Sequence, residues 1–278
     1  PRSTLFPYTT LFRSVEAMTG RTPSGRTVPT GPARARTTPR LRVDQLACGD
    51  LLADITFEVQ PGEIVGLTGR LGSGRTALAQ ALFGLLNIDH GRVRVNGKPL
   101  EPRHPQSALA AGLAYVPEDR LREGLFLAQA VGHNLIAGRL PSLGGRLGWI
   151  NPRQIQDPSR HWIQQLRIRT PDVASPVDHL SGGNQQKVVL ARWLACSVNV
   201  LILNRPTAGV DVGAKAEIHQ HLRDWTARGM SILLISDDLP ELLELSHRLL
   251  LFHEGRIVAE LPVDALDADA LTARLESL

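Results

Sequence analysis

Leu180-Ser181-Gly182-Gly183-Asn184-Gln185-Gln186-Lys187 is a polar, glycine-paired turn that leads at once into a helical pattern, Gln185 to Ala195. Backbone N–H groups at a helix start, beside a serine hydroxyl and a Gly-Gly pair, make an anion site. Upstream stands a phosphate-loop pattern, Gly69 to Thr76, and downstream an apolar strand pattern, Val198 to Leu203. The three in that order carry the reading of fold and function.

The upstream loop is Gly69-Arg70-Leu71-Gly72-Ser73-Gly74-Arg75-Thr76. It follows an apolar strand, Glu63 to Thr68, and opens a helix, Arg75 to Leu85. In the GxxxxGK[ST] template, glycines let backbone N–H groups curl around phosphates, the lysine reaches the terminal phosphates and the hydroxyl holds Mg²⁺. Gly69, Gly74 and Thr76 fit, while Arg75 replaces the lysine. Arginine keeps the charge, but its planar head is bulkier and not interchangeable with an ammonium. Taken alone, the loop reads equally as a glycine-rich strand–helix turn with no ligand.

Alternation predicts strands at Leu41–Leu46 and Ile55–Val59, and a Pro61-Gly62 turn follows. Arg92–Val95 with Asn96-Gly97 is a hairpin signal, and Leu113–Val116 another strand. From about Arg120 to Val177 the pattern is helical and broken, with one helix from Asn151 to Arg169, capped by Asn151 and with Pro152 in its first turn. Strands at 198–203, 231–235 and 247–252 then alternate with helices at about 212–228 and 239–245. Arg256–Leu261 is a last strand, and Asp264 to Leu278 holds a short amphipathic helix. This alternation implies an α/β domain with a largely parallel sheet and a helical insertion.

Apolar residues make up 42% of the 278, enough for a sizeable core, and no apolar run reaches the ~18 residues of a membrane span. Cys48 and Cys196 stand too far apart for a metal or redox spacing, which suits a reducing compartment. Of the formal net charge of +4, residues 1–42 hold +7 (eight arginines against Glu16) and the remainder −3. The basic character belongs to the N-terminal segment, so no nucleic-acid partner is expected. Residues 1–14, PRSTLFPYTTLFRS, read as a translated sequencing-adapter segment, the alternative being an ordinary irregular N-terminus. Residues 15–40 read as the end of a preceding domain and a Thr/Pro/Gly/Arg-rich linker, and 41–278 as the folded domain, its helical part at about 120–195.

With loop, turn and strand together, LSGGNQQK resembles the signature of ATP-binding cassette (ABC) ATPases, in the form found in tandem-domain importers of ribose, galactose and xylose. The resemblance covers about Leu41 to Leu278. Tyr115-Val116-Pro117-Glu118-Asp119-Arg120 with Gly124-Leu125 looks like those proteins' segment that contacts the membrane subunit, Pro206 to Lys215 their D-loop region, and Ile235 to Glu241 their switch region. Val15–Arg21 resembles the end of the first ATPase half, so the best match is the second, C-terminal nucleotide-binding domain. The resemblance implies a P-loop NTPase fold of the ABC ATPase type, with a mostly parallel sheet, an antiparallel β subdomain and a helical subdomain. It implies ATP and Mg²⁺ as cofactors and a peripheral place on the cytoplasmic face of the membrane. The partners it implies are a first ABC domain held head-to-tail, membrane permease subunits and, indirectly, an extracytoplasmic sugar-binding protein. By the same resemblance Gly69, Gly72, Ser73, Gly74, Arg75 and Thr76 bind nucleotide, Thr76 the metal. Ser181, Gly182, Gly183 and Gln185 serve a nucleotide on the partner domain, and Asp211 belongs to the D-loop.

Four positions depart from the family pattern. Asn204 stands for the aspartate that organises Mg²⁺, and Arg205 for the glutamate that polarises the attacking water. Arginine cannot act as general base at neutral pH. Glu118 replaces the glutamine that senses the terminal phosphate, and Asp237 replaces the switch histidine. No aromatic lies between Arg42 and Ile55, where the family often stacks adenine. The domain's own site is therefore expected to be hydrolytically impaired, while its signature serves the partner. A nucleoside or signalling-sugar importer, or a non-transport ABC protein, are the alternatives.

Other signals have simpler readings. Asp238 with Glu241 fits a capping box as well as a nucleotide contact. His219 and His221, two apart on a helix, face different ways and are not a metal pair. Trp149, Trp162, Trp193 and Trp225 read as packing residues. Val131–Ile136 reads first as core and second as lining for a groove that receives the membrane subunit.

Overall fold

The computed structural model describes residues 38–143 and 150–278. The adapter-like segment, the Val15–Arg21 resemblance, nearly all of the linker and Trp149 lie outside the described residues.

Two sheets organise the described chain. The first, antiparallel, contains β1 (Leu41–Cys48), β2 (Leu52–Val59), β4 (His90–Val95) and β5 (Lys98–Leu100), in the order β2-β1-β4-β5. The second contains β3 (Ile64–Gly69), β6 (Leu113–Val116), β7 (Val200–Asn204), β8 (Ser231–Ile235), β9 (Arg248–His253) and β10 (Arg256–Pro262). Its order is β10-β9-β3-β8-β7-β6, parallel throughout except for the β9–β10 hairpin. Among the described residues the helices are α1 (Arg75–Phe83), α2 (Pro105–Ala111), α3 (Val131–Ile136), α4 (Leu140–Leu143), α5 (Pro152–Gln165), α6 (Gly182–Leu194), α7 (Val212–Ala227), α8 (Leu239–Leu245) and α9 (Ala268–Glu276).

The parallel strands are apolar on both faces because both faces are covered. Along β8, Ile232 and Leu234 enter one core with α6, α7 and α8, while Leu233 and Ile235 enter the other with α1 and the antiparallel sheet. β7 divides in the same way, Leu201 and Leu203 against Val200 and Ile202. That alternation follows from the two-residue period of a strand.

Between β6 and β7 the chain makes helices and turns. α5 starts where the sequence placed it: Asn151 Oδ1 accepts from Arg153 N at 3.0 Å, and Gln154 Oε1 accepts from Asn151 N at 2.9 Å. Val131, Leu135 and Ile136 of α3 are buried in the core, so these side chains pack inward and do not line an open groove. Trp193 meets Phe83 edge-on at 5.7 Å and Trp225 is 9% exposed, both packing residues.

Several boundaries differ from the sequence reading: α5 ends at Gln165, short of Arg169, and β2 begins at Leu52, ahead of Ile55. α6 begins at Gly182, three residues before the expected start, with Ser181 as its N-cap residue. Helix propensity disfavours Gly-Gly, but tertiary contacts of the glycines override it. α2 was not expected: it is short, starts at Pro105 and buries only Ala108, so it shows little periodicity.

Candidate functional site

The site lies at the carboxyl ends of the parallel strands, where ligands bind in open α/β sheets. Gly69 ends β3, and the loop to α1 turns on Gly72 and Gly74, with φ of 80° and 102°. Gly74 is the N-cap residue of α1, and a Cβ there would stand 2.9 Å from Leu51 O, so only glycine fits both the angle and the space. Ser73 is buried, its carbonyl accepting from Gly255 N at 2.8 Å.

Arg75, the residue in the lysine position, is folded back across its own loop and is 8% exposed. Its Nε donates to Ser73 Oγ at 3.1 Å, Nη1 to Ser236 O at 3.4 Å and Nη2 to Arg70 O at 3.5 Å. Nη1 also lies 2.8 Å from Asp237 Oδ1, just past the end of β8. Thr76 Oγ1 accepts from Asn204 Nδ2 at 3.1 Å, which joins the end of the loop to the last residue of β7. Asn204 is buried and also bonds the Tyr115 side chain, whose phenol is pushed up chiefly by burial.

Arg205 follows with a left-handed backbone, φ 50°. Its Nη1 lies 2.5 Å from Glu118 Oε1 and its Nε 3.5 Å from Asp237 Oδ2. The four departing positions thus meet in one place. Glu118 and Asp119, adjacent in sequence, diverge: Asp119 Oδ1 caps the π-helical turn Arg120–Gly124 by accepting from Leu121 N and Arg122 N, both at 3.1 Å.

The signature residues form a separate surface. Ser181 is exposed; its Oγ makes no cap bond and accepts from Asn184 Nδ2 at 3.0 Å. The Gly182–Gly183 pair lies against the chain that follows β7. A Cβ on Gly182 would meet Arg120 Nη2 at 2.7 Å, and one on Gly183 would meet Ala214 Cβ at 2.4 Å. Arg120 holds that chain by donating to Ala208 O at 2.6 Å and Gly209 O at 3.2 Å. Asp211 caps α7, its Oδ1 accepting from Ala214 N at 2.9 Å. Gln185 is turned inward, buried, donating to Val177 O at 3.3 Å, so its side chain supports the turn.

Two networks of buried polar groups went unread in the sequence. Glu241 is 1% exposed and accepts from Thr207 Oγ1 at 2.6 Å, Ser236 Oγ at 2.6 Å and His219 Nε2 at 2.9 Å. Its carboxylate is thus drawn inward and does not return to Asp238 N, so only half of the capping box forms: Asp238 Oδ1 accepts from Glu241 N at 3.0 Å. Burial raises Glu241, but the bonds from His219, Ser236 and Thr207 outweigh it and hold its pKa down. Burial lowers His219, but bonds to Glu241 and Glu244 outweigh it and its pKa is raised. The His219 bond, against burial and aided by Arg223, holds Glu244 at about 2. His221 stacks on Trp225 at 5.7 Å, and no metal-type cluster occurs among the described residues.

The second group ties α6 to the segment after β6. Asn134 Oδ1 accepts from Phe126 N at 2.9 Å and from Arg192 Nη2 at 2.9 Å, and Arg192 Nε donates to Asn134 O at 2.7 Å. Burial lowers the Arg192 pKa to about 10. A glutamate in the first turn of α8 and a charged residue within an apolar helix were the only signals for these groups.

Known proteins share this fold. A nucleotide-free ATP-binding cassette from an ABC transporter superposes with a TM-score of 0.72 at 21% identity, covering 86% of this chain and 96% of its own. The ADP conformation of another such cassette gives 0.71 at 21% identity, covering 87% and 99%. At that identity the superpositions establish the fold. A protein of Rhizobium etli named for ribose/galactose/methyl galactoside import is 45% identical over 221 residues, 80% of this chain and 42% of its own length. The ribose import ATP-binding protein RbsA 2 of Streptomyces avermitilis is 44% identical over 223 residues, 80% and 44%. The chain therefore spans less than half the length of these curated relatives. Residues 52–208, from the start of β2 to the turn after β7, match the ABC transporter family, and with the shared cassette fold and these relatives, the chain belongs to that family.

Proposed function

We propose that the chain is a nucleotide-binding half of the energy-coupling subunit of a monosaccharide importer. Its partners are a first ABC domain packed head-to-tail, permease subunits that carry the cargo path, and a sugar-binding protein beyond them. The relatives' names for ribose and galactose import support the cargo class. None of the helices among the described residues is long and apolar enough to cross a membrane, in keeping with a subunit that docks on a permease at the cytoplasmic face.

In this reading the 69–76 loop binds nucleotide phosphates through backbone N–H groups at the start of α1. Thr76 would be the protein ligand of Mg²⁺, with the Asn204 amide beside it. The fit is a loose one, a hydroxyl and a neutral amide, which suits an ion held mainly by phosphates and water. The metal, when bound, neutralises phosphate charge.

The observation that carries the reading is the position of Arg205. It lies in the place of the family's water-polarising carboxylate and is ion-paired to Glu118 and Asp237. A cation there cannot take a proton from water, so this half's own site is impaired in hydrolysis. Ser181, Gly182 and Gly183 keep the pattern of the family's signature, and Ser181 is exposed. They supply donors to the nucleotide on the first domain, where developing negative charge needs them.

The test is Ser181→Ala in the tandem protein that contains this chain. Ser181 makes no helix-cap bond, so the fold should be retained. Loss of most ATP hydrolysis with nucleotide binding kept supports the proposal. Unchanged hydrolysis overturns it.

A further inference from the structure

β3, β8, β7 and β6 are consecutive neighbours in the central sheet. Just past their carboxyl ends stand, in the same order, Arg75, Asp237, Arg205 and Glu118. The charges alternate across the sheet edge, and each neighbour touches the next: 2.8 Å, 3.5 Å and 2.5 Å. Their formal charges sum to zero, so these four residues together offer a phosphate no net positive charge. Arg75, the cation in the loop's lysine position, is committed to a carboxylate, and its donors also go to Ser73, Ser236 and Arg70.

We propose that Asp237 and Glu118 make this site select nucleotides by phosphate charge, so that it takes a nucleoside diphosphate in preference to the triphosphate. The inference rests on the reading of 69–76 as a nucleotide loop. A diphosphate can be held by the backbone N–H groups at the start of α1 and by Thr76, and it leaves the chain of ion pairs intact. A third phosphate adds negative charge on the side of the strand ends. It must displace Asp237 from Arg75, which frees a carboxylate into the same crevice, or lie beside both acids. Like charges at contact repel strongly in a partly desolvated crevice. Arg205 does not relieve this, because its guanidinium is held between the same two carboxylates. Asp237 and Glu118 are then specificity residues: they act on the terminal phosphate and leave the rest of the nucleotide alone.

The experiment is calorimetric titration of the 278-residue chain with ADP and with ATP, at one fixed Mg²⁺ concentration, for the unmodified protein, Asp237→Asn and Glu118→Gln. The unmodified chain should bind ADP at least about tenfold tighter than ATP, about 1.4 kcal/mol. Asp237→Asn should tighten ATP by about tenfold and leave ADP within about twofold, with a smaller gain from Glu118→Gln. Raised salt should narrow the ADP preference, since the crevice is half-exposed. If the unmodified chain binds ATP as tightly as ADP, or if Asp237→Asn weakens ATP, Arg75 and Arg205 are reaching the phosphate and the selectivity proposal is overturned while the nucleotide loop stands. If neither nucleotide binds any of the three proteins, the reading of the loop itself is wrong, and the proposal with it.

Discussion

Arg205 Nη1 stands 2.5 Å from Glu118 Oε1, and Arg205 holds that place with a left-handed backbone whose amide donates to Ile235 O at 2.8 Å. A non-glycine residue in that region costs roughly 1–2 kcal/mol. The ion pair and the amide bond hold it there, so what replaces Arg205 depends on what faces it.

Replacing the strand-end pair with the family's acids, Asn204→Asp with Arg205→Glu, should restore a water-polarising group. General bases contribute about 10²–10⁴-fold in rate. Here the introduced carboxylate would face Glu118 and Asp237 with no cation between them. The double variant should therefore gain only part of that factor and lose thermal stability. Adding Glu118→Gln should raise phosphate release further and recover stability. Release assays on the tandem protein, paired with melting curves, would sink this expectation if the third substitution lowers both.

The His219–Glu241 pair predicts a pH dependence. His219 is raised above its ordinary value of 6.5, so its stabilisation is complete below about pH 6.5 and is lost as pH rises through the folded pKa. Glu241 and Glu244 are lowered from 4.5, so theirs is complete above about pH 4.5 and is lost only as pH falls further, for Glu244 towards about 2. The network is therefore strongest between these limits. His219→Gln should cost about 1–3 kcal/mol at pH 6 and less at pH 9, read from urea midpoints across that range. A cost that does not change with pH would mean that the imidazole is neutral in the fold.

Gly183→Ala should destabilise the protein by about 1–3 kcal/mol, because its Cβ would fall 2.4 Å from Ala214 Cβ. Ala214→Gly removes the atom it strikes. A double-mutant cycle in urea should show that the pair costs less than the sum of the two single changes. Additive costs would place the strain in the α6 backbone instead.

Asn134→Ala removes the acceptor of the buried Arg192 Nη2 together with the two N–H donors of Asn134 Nδ2, shared among the carbonyls of Phe126, Gln129 and Ala130. A loss of about 2–4 kcal/mol is expected. Hydrogen exchange should rise first in residues 125–136, if that segment is what Asn134 holds to α6.

The strands were legible because each obeys a local rule: Leu113–Val116 and Ser231–Ile235 are apolar runs, and β4–β5 is marked by Asn96-Gly97. So were the caps at Asn151 and Asp238, whose partners lie three residues on. The phosphate loop and the signature turn were read as stretches, and each lies where a strand or turn meets a helix. What could not be read depends on the order of strands. Arg75 and Asp237 are far apart in sequence and touch only because β8 inserts between β3 and β7. The same holds for Glu241, whose acceptor contacts come from β7's trailing turn, α7 and the end of β8. The start of α6 was misplaced because glycine pairs read as turns, whereas these lie in a helix that needs bare backbone to meet Arg120 and Ala214.

The ordered charges at the sheet edge bear on how the site tolerates single substitutions. Glu118, Arg205 and Asp237 are matched to one another, so Arg205→Glu alone sets three acids side by side, and neutralising Glu118 or Asp237 alone takes a partner from the arginine. Any one of these changes made alone is expected to leave a charge unpaired. The site is in that sense interlocked: its charge pattern stays balanced only when several of these residues change together.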